Sequence, residues 1–330
     1  LIGGRYGRFE VIAALGEGGM GTVWRARDPL LQRDVALKVV RPHRAEDPAT
    51  RNQLLREARI VSRLAHGGII PVFDSGFEGD ELYVAMQLVE GTTLADHMRG
   101  RQLPVQELDR IANPLFLALI HAHDAGVVHR DISTRNVMID AKGNVYLLDF
   151  GLAVSEDRSA TLVEGGAVGT IPFMAPEVVA GTRGDERSDQ YSLAAVLYEA
   201  ATGMPPFRGD NAAATLHAIT NEALTPPLRR RTDLPLRIEV ALVRALEKDP
   251  ARRFACVDDF AAAWKGENVD ASTIRVDPVR RTTGRISRRD WIIATAAIAA
   301  AASLGIWWLR RPSASRPRRI AILPPENQSE

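Results

Sequence analysis

Three side chains in one stretch could do chemistry together. Asp131 is followed five residues on by Asn136, and Asp149 comes next in Asp149-Phe150-Gly151. Carboxylate and amide oxygens are the donors that a hard cation such as Mg2+ prefers. A lone Asp is more often a turn residue, so the surrounding pattern has to decide. Two further features lie upstream. Gly16-Glu17-Gly18-Gly19-Met20-Gly21 offers backbone N–H groups that can lie over phosphates with no side chain in the way. Lys38 stands inside the apolar run Val35-Ala36-Leu37-Lys38-Val39-Val40, where a charge needs a partner. Of the 42 Lys and Arg residues only Lys38, Lys142, Lys248 and Lys265 are Lys, so a lysine at such a position is informative.

The elements that must position these residues follow from periodicity. Phe9 to Leu15 reads as a strand, and Thr22-Val23-Trp24-Arg25-Ala26-Arg27 as a returning one. A dinucleotide-binding fold would open a helix at the last glycine, so the glycines are expected at a hairpin tip. Asp34 to Val40 is a third strand. A helix is expected from about Pro48 to Leu64, with Leu54, Leu55, Ala58, Val61 and Leu64 at helical spacing and Glu57 among them. Strands are expected at Ile69–Gly76 and Leu82–Leu88. Val105 to Gly126 is helical in pattern, with Gly126 as its stop, and Ser188-Asp189-Gln190-Tyr191-Ser192-Leu193 opens an apolar helix that runs to Gly203.

Downstream, His129-Arg130-Asp131-Ile132-Ser133-Thr134-Arg135-Asn136, Asp149-Phe150-Gly151, Gly169-Thr170 and Ala175-Pro176-Glu177 come in this order. In these motifs and the glycine loop the chain resembles eukaryotic-like protein kinases, from about Phe9 to Lys265. The resemblance implies an α+β, two-lobed fold with a small β-rich lobe and a larger helical one. It implies ATP with Mg2+ or Mn2+ as cofactors. Asp131 would then orient an acceptor hydroxyl and take its proton, with Asn136 and Asp149 as metal ligands. Gly16, Gly18 and Gly21 would cover the phosphates, and Val23, Ala36, Met86 and Leu88 would line the nucleotide pocket. Lys38 would hold the α- and β-phosphates and pair with Glu57. Glu46, the rival for that pairing, lies before the helix. Asp189 would brace the catalytic loop from behind, and Arg253 would pair with Glu177.

One position departs from the family. Most Ser/Thr kinases carry Lys two residues after the catalytic Asp, and here Ser133 stands there. Arg135 is expected to supply the positive charge instead, although a planar guanidinium is not equivalent to an ammonium. Gly169-Thr170 ahead of Ala175-Pro176-Glu177 implies protein substrates with Ser/Thr acceptors. Ser159, Thr161 and Thr170 are expected phosphorylation sites, with Arg130 as the phosphate's partner. Two other readings compete with this one. A membrane-tethered pseudokinase that binds nucleotide as a scaffold is motivated by Ser133. A small-molecule kinase of related fold fits badly, because those lack a segment closed by Ala-Pro-Glu.

Composition sets the bounds. An apolar fraction of 45% and a charged fraction of 25% are those of a globular protein, and a net charge of +1 gives no case for nucleic-acid binding. A single cysteine, Cys256, excludes an intramolecular disulfide framework. The chain opens on Leu1 with no signal-peptide pattern and is expected to be a fragment. After a linker over residues 266–290, Trp291 to Leu309 is a run without a charge, flanked by Arg288, Arg289, Arg310 and Arg311. At 1.5 Å per residue it would reach roughly 28 Å, close to the hydrocarbon core of a bilayer. A single transmembrane helix at 291–309 is therefore expected, with the kinase domain (residues 9–265) cytoplasmic, where ATP is, and residues 310–330 outside. Ala297, Ala301 and Gly305 form a small-residue stripe that would suit a homodimer. Together, the glycine loop and this span resemble bacterial membrane-anchored Ser/Thr receptor kinases.

Overall fold

Along Arg33–Val40 the side chains alternate between two faces, as the period of a strand requires. Val35, Leu37 and Val39 enter one apolar cluster with Tyr6, Phe9, Val11, Ala26, Tyr83 and Ala85. Ala36 enters a second, with Leu54, Ala58, Val84 and Met86. Lys38 shares the parity of Ala36 and so lies on the side covered by the helix that carries Leu54 and Ala58.

The computed structural model describes residues 3–18, 21–40, 47–150 and 170–267. The smaller lobe is a six-stranded antiparallel sheet: β1 (Arg5–Tyr6), β2 (Phe9–Gly18), β3 (Gly21–Asp28), β4 (Arg33–Val40), β5 (Val72–Glu78) and β6 (Glu81–Gln87), in the order β1-β2-β3-β4-β6-β5. Helix α1 (Pro48–Val61) crosses it. Its start is built by Asp47, which accepts from the Ala49 and Thr50 N–H groups, and by Pro48 in the first turn. The helix ends before Leu64, because the Arg63 and Leu64 N–H groups bond three residues back and tighten the last turn. Leu64 is still buried. Strand β5 opens at Val72, not Ile69. Pro71 has no N–H to give a ladder, and Ile69 instead makes an isolated bridge to Leu147.

The larger lobe begins with a short helix, α2 (Leu94–Met98), and α3 (Val105–Asp124). A small three-stranded sheet of β7 (Gly91–Thr93), β8 (Val137–Asp140) and β9 (Val145–Leu147) brackets the catalytic loop, and its strands are too short to announce themselves by periodicity. After α4 (Pro176–Val179), helix α5 (Glu186–Thr202) is buried on all sides from Ser188 to Ala201 except at Ser192 and Glu199. A helix apolar all round belongs in the middle of a core. It starts two residues ahead of Ser188, since Asp185 and Ser188 form a capping box, and it ends where Gly203 takes φ +79°. Four more helices, Ala212–Asn221, Pro227–Arg230, Leu236–Ala245 and Val257–Lys265, complete the lobe. Phe116 on α3 meets Phe260 edge-to-face at 4.9 Å and Trp264 at 6.0 Å, which locks the last helix onto the core.

No helix among the described residues is long and apolar enough to cross a membrane. The expected span at 291–309, its small-residue stripe, Ser159 and Thr161 all lie outside the described residues.

Candidate active site

The catalytic loop has little regular structure, so its geometry has to come from hydrogen bonds. Asp189, buried on α5, accepts from the His129 and Arg130 N–H groups at 2.7 Å each and meets His123 Nε2 at 2.9 Å. This bracing holds Arg130 at φ +66°, a left-handed conformation that costs a residue with a Cβ about 1–3 kcal/mol. Fully buried His129 links two further segments. Its Nε2 donates to the Leu148 carbonyl at 2.7 Å, and its Nδ1 accepts from the Asp131 N–H at 3.2 Å. Burial lowers the pKa of this ring, against the carboxylates of Asp189, Asp131 and Asp149 and the bond to Leu148. A neutral ring with its proton on Nε2 suits both bonds.

Asp131 is buried, and its Oδ2 accepts from Asn136 Nδ2 at 2.9 Å, while the same amide donates to the Asp131 carbonyl at 2.8 Å. The donor side of Asn136 is thereby engaged, and its amide oxygen is the side left for a cation. Asp149 follows β9 at φ +60°, with Phe150 buried behind it against the His129 ring at 4.4 Å. Ser133 is buried and its Oγ has no hydrogen-bond partner among the described residues. Arg135 is exposed.

On the other side of the cleft, Lys38 reaches Asp149 Oδ2 at 2.9 Å. The pairing expected between Lys38 and Glu57 is not formed. Glu57 Oε1 accepts instead from Arg183 at 3.1 Å and Gln53 at 3.3 Å, and its Oε2 is buried without a hydrogen bond among the described residues. The reason is competition: each charge has found an opposite charge from the larger lobe. The glycines do form a hairpin, with Gly18 paired to Gly21 and Gly16 to Val23. Gly21 has φ +127°, and a Cβ there would run into the Val39 carbonyl oxygen. At Gly16 a Cβ would meet nothing, so that side of the strand is open. Val23 and Leu88 are half-buried against the cluster that holds Ala36 and Met86, which makes one apolar wall.

Thr170, Met174 and Ala175 line a cavity together with Asp131 and Arg183. Behind it, Arg253 pairs with both oxygens of Glu177 at 2.7 and 2.8 Å, and Ser188 donates to the same carboxylate at 2.8 Å. Burial works to raise the Glu177 pKa, but the bonds and charge of Arg253 outweigh it, and the net shift is downward. Sequence reasoning missed three residues here: Arg183, His123 and Glu199. Burial raises the Glu199 carboxyl, with Arg208 and the Thr134 hydroxyl acting against it.

The donor set fits a nucleotide-borne divalent cation. One carboxylate and one amide oxygen are too few to hold Mg2+ alone, and no cluster of three or more His, Cys, Asp or Glu ligands occurs among the described residues. Mg2+ commonly takes one or two protein oxygens and completes its shell with phosphates and water.

A family model described as the protein kinase domain matches residues 9–264. Serine/threonine-protein kinase PknE of Mycobacterium tuberculosis is 35% identical over 281 residues, covering 84% of this chain and 49% of that protein. Serine/threonine-protein kinase PknB of Mycolicibacterium smegmatis is 35% identical over 285 residues, covering 83% of this chain and 45% of that protein. The chain thus spans about half the length of these relatives. Among solved structures, the Mycobacterium tuberculosis PknI kinase domain superposes with a TM-score of 0.66 at 31% identity, over 81% of this chain and 98% of that one. Motif order, two-lobed fold and relatives agree, and the chain belongs to the protein kinase family.

Proposed function

We propose that this protein is a Ser/Thr protein kinase that transfers the γ-phosphoryl group of ATP to hydroxyls of proteins. The observation that carries this reading is the Asp131–Asn136 pair: a buried carboxylate and an amide locked together beside Asp149, on a loop braced by Asp189. Bound Mg2+ and ATP would supply the phosphoryl group and neutralise its charge. Asp131 then orients the acceptor hydroxyl and receives its proton, a role that general-base catalysis makes worth about 10²–10⁴ in rate. Asn136 and Asp149 offer oxygens to the cation, and the Gly16–Gly21 hairpin offers backbone N–H groups to the phosphates. Lys38 holds phosphate oxygens, and the apolar wall of Val23, Ala36, Met86 and Leu88 takes the base. Arg135 supplies the charge that a lysine at the Ser133 position gives elsewhere. Gly169-Thr170 and the two named relatives support Ser/Thr acceptors.

The protein is further proposed to be membrane-anchored through residues 291–309, with residues 9–265 cytoplasmic, and to phosphorylate its own segment at Ser159, Thr161 or Thr170, assisted by dimerisation. The uncharged run with arginines at both ends supports the anchor. A second reading, a nucleotide-binding scaffold without turnover, is favoured by buried Ser133 with its unbonded hydroxyl. One experiment separates the two. The chain is incubated with Mg2+ and γ-labelled ATP beside an Asp131→Asn control, and any phosphorylated residue is mapped. Label on Ser or Thr that is absent from the control supports the kinase. ATP binding without label in either sample supports the scaffold.

A further inference from the structure

Arg183 faces two ways. Its guanidinium holds Glu57 of α1, a residue of the opposite lobe, at 3.1 Å. The same residue lines a cavity with Asp131, Thr170, Met174 and Ala175, which also reaches Ser188 and Asp189 of α5. Its side chain is 61% exposed, so an arriving peptide can reach it. Two acids near it in sequence are engaged elsewhere. Glu177 is held by Arg253 and Ser188, and Asp185 caps α5 through the Arg187 and Ser188 N–H groups.

The partner is poised to leave. Glu57 gives Arg183 a single oxygen and keeps its other oxygen buried and unbonded among the described residues, which is an unfavourable state for a carboxylate. The pair is open to solvent on its arginine side, which weakens it and lets the guanidinium exchange partners. Once Glu57 lets go, Lys38 is a second basic group within the same cleft; it meets Asp149 at 2.9 Å, and a cation on that carboxylate would compete with it.

We propose that Arg183 is a specificity-determining residue that couples acceptor binding to the nucleotide side of the cleft. With no acceptor present it holds Glu57. An acidic side chain next to the acceptor hydroxyl displaces Glu57 and takes its place on the guanidinium, which frees Glu57 for Lys38. Acidic protein segments are therefore preferred, and they also release the resting arrangement. This rests on the kinase reading above.

The test uses the full chain, wild type and Arg183→Gln, with two peptides that share one Ser acceptor and differ only in Glu or Gln at the flanking positions. Peptide affinity is read by fluorescence anisotropy with Mg2+ and a non-hydrolysable ATP analogue, and turnover is read separately with ATP. Wild type is expected to bind the Glu peptide about fivefold more tightly, the upper end for one exposed ion pair. Arg183→Gln is expected to bind both peptides alike and to phosphorylate the Gln peptide faster than wild type does, because the guanidinium that draws Glu57 toward the larger lobe is gone. A Glu preference that survives in Arg183→Gln, or a Gln-peptide rate no higher than that of wild type, overturns the proposal. Absence of turnover with every peptide overturns the kinase reading instead, and the affinities still decide this one.

Discussion

At the scale of single residues, the site depends on side chains whose protonation and partners are dictated by burial. His129 has no room for a second proton without losing its bond from the Asp131 N–H. Its pKa is lowered, so its contribution to stability is present above the ordinary histidine value of 6.5 and is lost as the pH falls below it. Nitrogen NMR should show the Nε2–H tautomer, with no titration of this ring near pH 6.5. Arg135 allows a kinetic test. If it supplies charge to the phosphoryl group, Arg135→Ala lowers kcat by about 10²-fold with little change in Mg-ATP affinity, and Arg135→Lys recovers part of the loss. Steady-state kinetics at saturating ATP checks this. Asp131, Asn136 and Asp149 were legible because loop chemistry fixes them at short, definite spacings. The partner of Glu57 was not, since Arg183 lies 126 residues away and meets it only through the way α1 sits over the larger lobe. The contact of Thr134 with Glu199 has the same difficulty, as no spacing rule joins a loop to a helix so far along the chain.

At the scale of elements, the strands were legible from alternation, and their ends were not, because caps and prolines act on single bonds. The glycine hairpin illustrates how an element carries function. Gly21→Ala places a Cβ against the Val39 carbonyl at a φ that side chains avoid. It is expected to destabilise the smaller lobe by more than ~1 kcal/mol and to weaken Mg-ATP binding, as thermal shift with and without nucleotide would reveal. The tie between α4 and the segment after Leu236–Ala245 is a second case. Arg253 is fully buried at its side chain and Glu177 is half-buried, so Arg253→Ala leaves a carboxylate without its counter-charge. The expected loss is about 3 kcal/mol, measured by denaturant unfolding. Because the folded Glu177 pKa is lowered, the stabilisation is present above the ordinary carboxylate value of 4.5 and is lost as pH falls below it. Glu177→Gln should flatten that part of the stability curve.

At the scale of the whole molecule, the two lobes meet through Val61, Leu64 and Ile69 in the core of the larger lobe and through the Lys38–Asp149 and Glu57–Arg183 ion pairs, while the larger lobe is organised around one buried helix. The proposed membrane anchor makes its prediction here: the full chain should sediment with membranes and resist extraction by salt, and deletion of residues 291–309 should release it. The two-lobed fold was legible from motif order, but the resting state of the cleft was not, because motifs give the residues that can meet and not which pairs win. The bracing by Asp189 has a further consequence in the time domain. The His129 and Arg130 amides belong to a segment with no helix or strand, yet both donate to a carboxylate on the buried helix α5. Their exchange with deuterated solvent must wait for that helix to open, so they should rank with the slowest amides of the larger lobe. The catalytic loop, irregular in shape, would then keep time with the core.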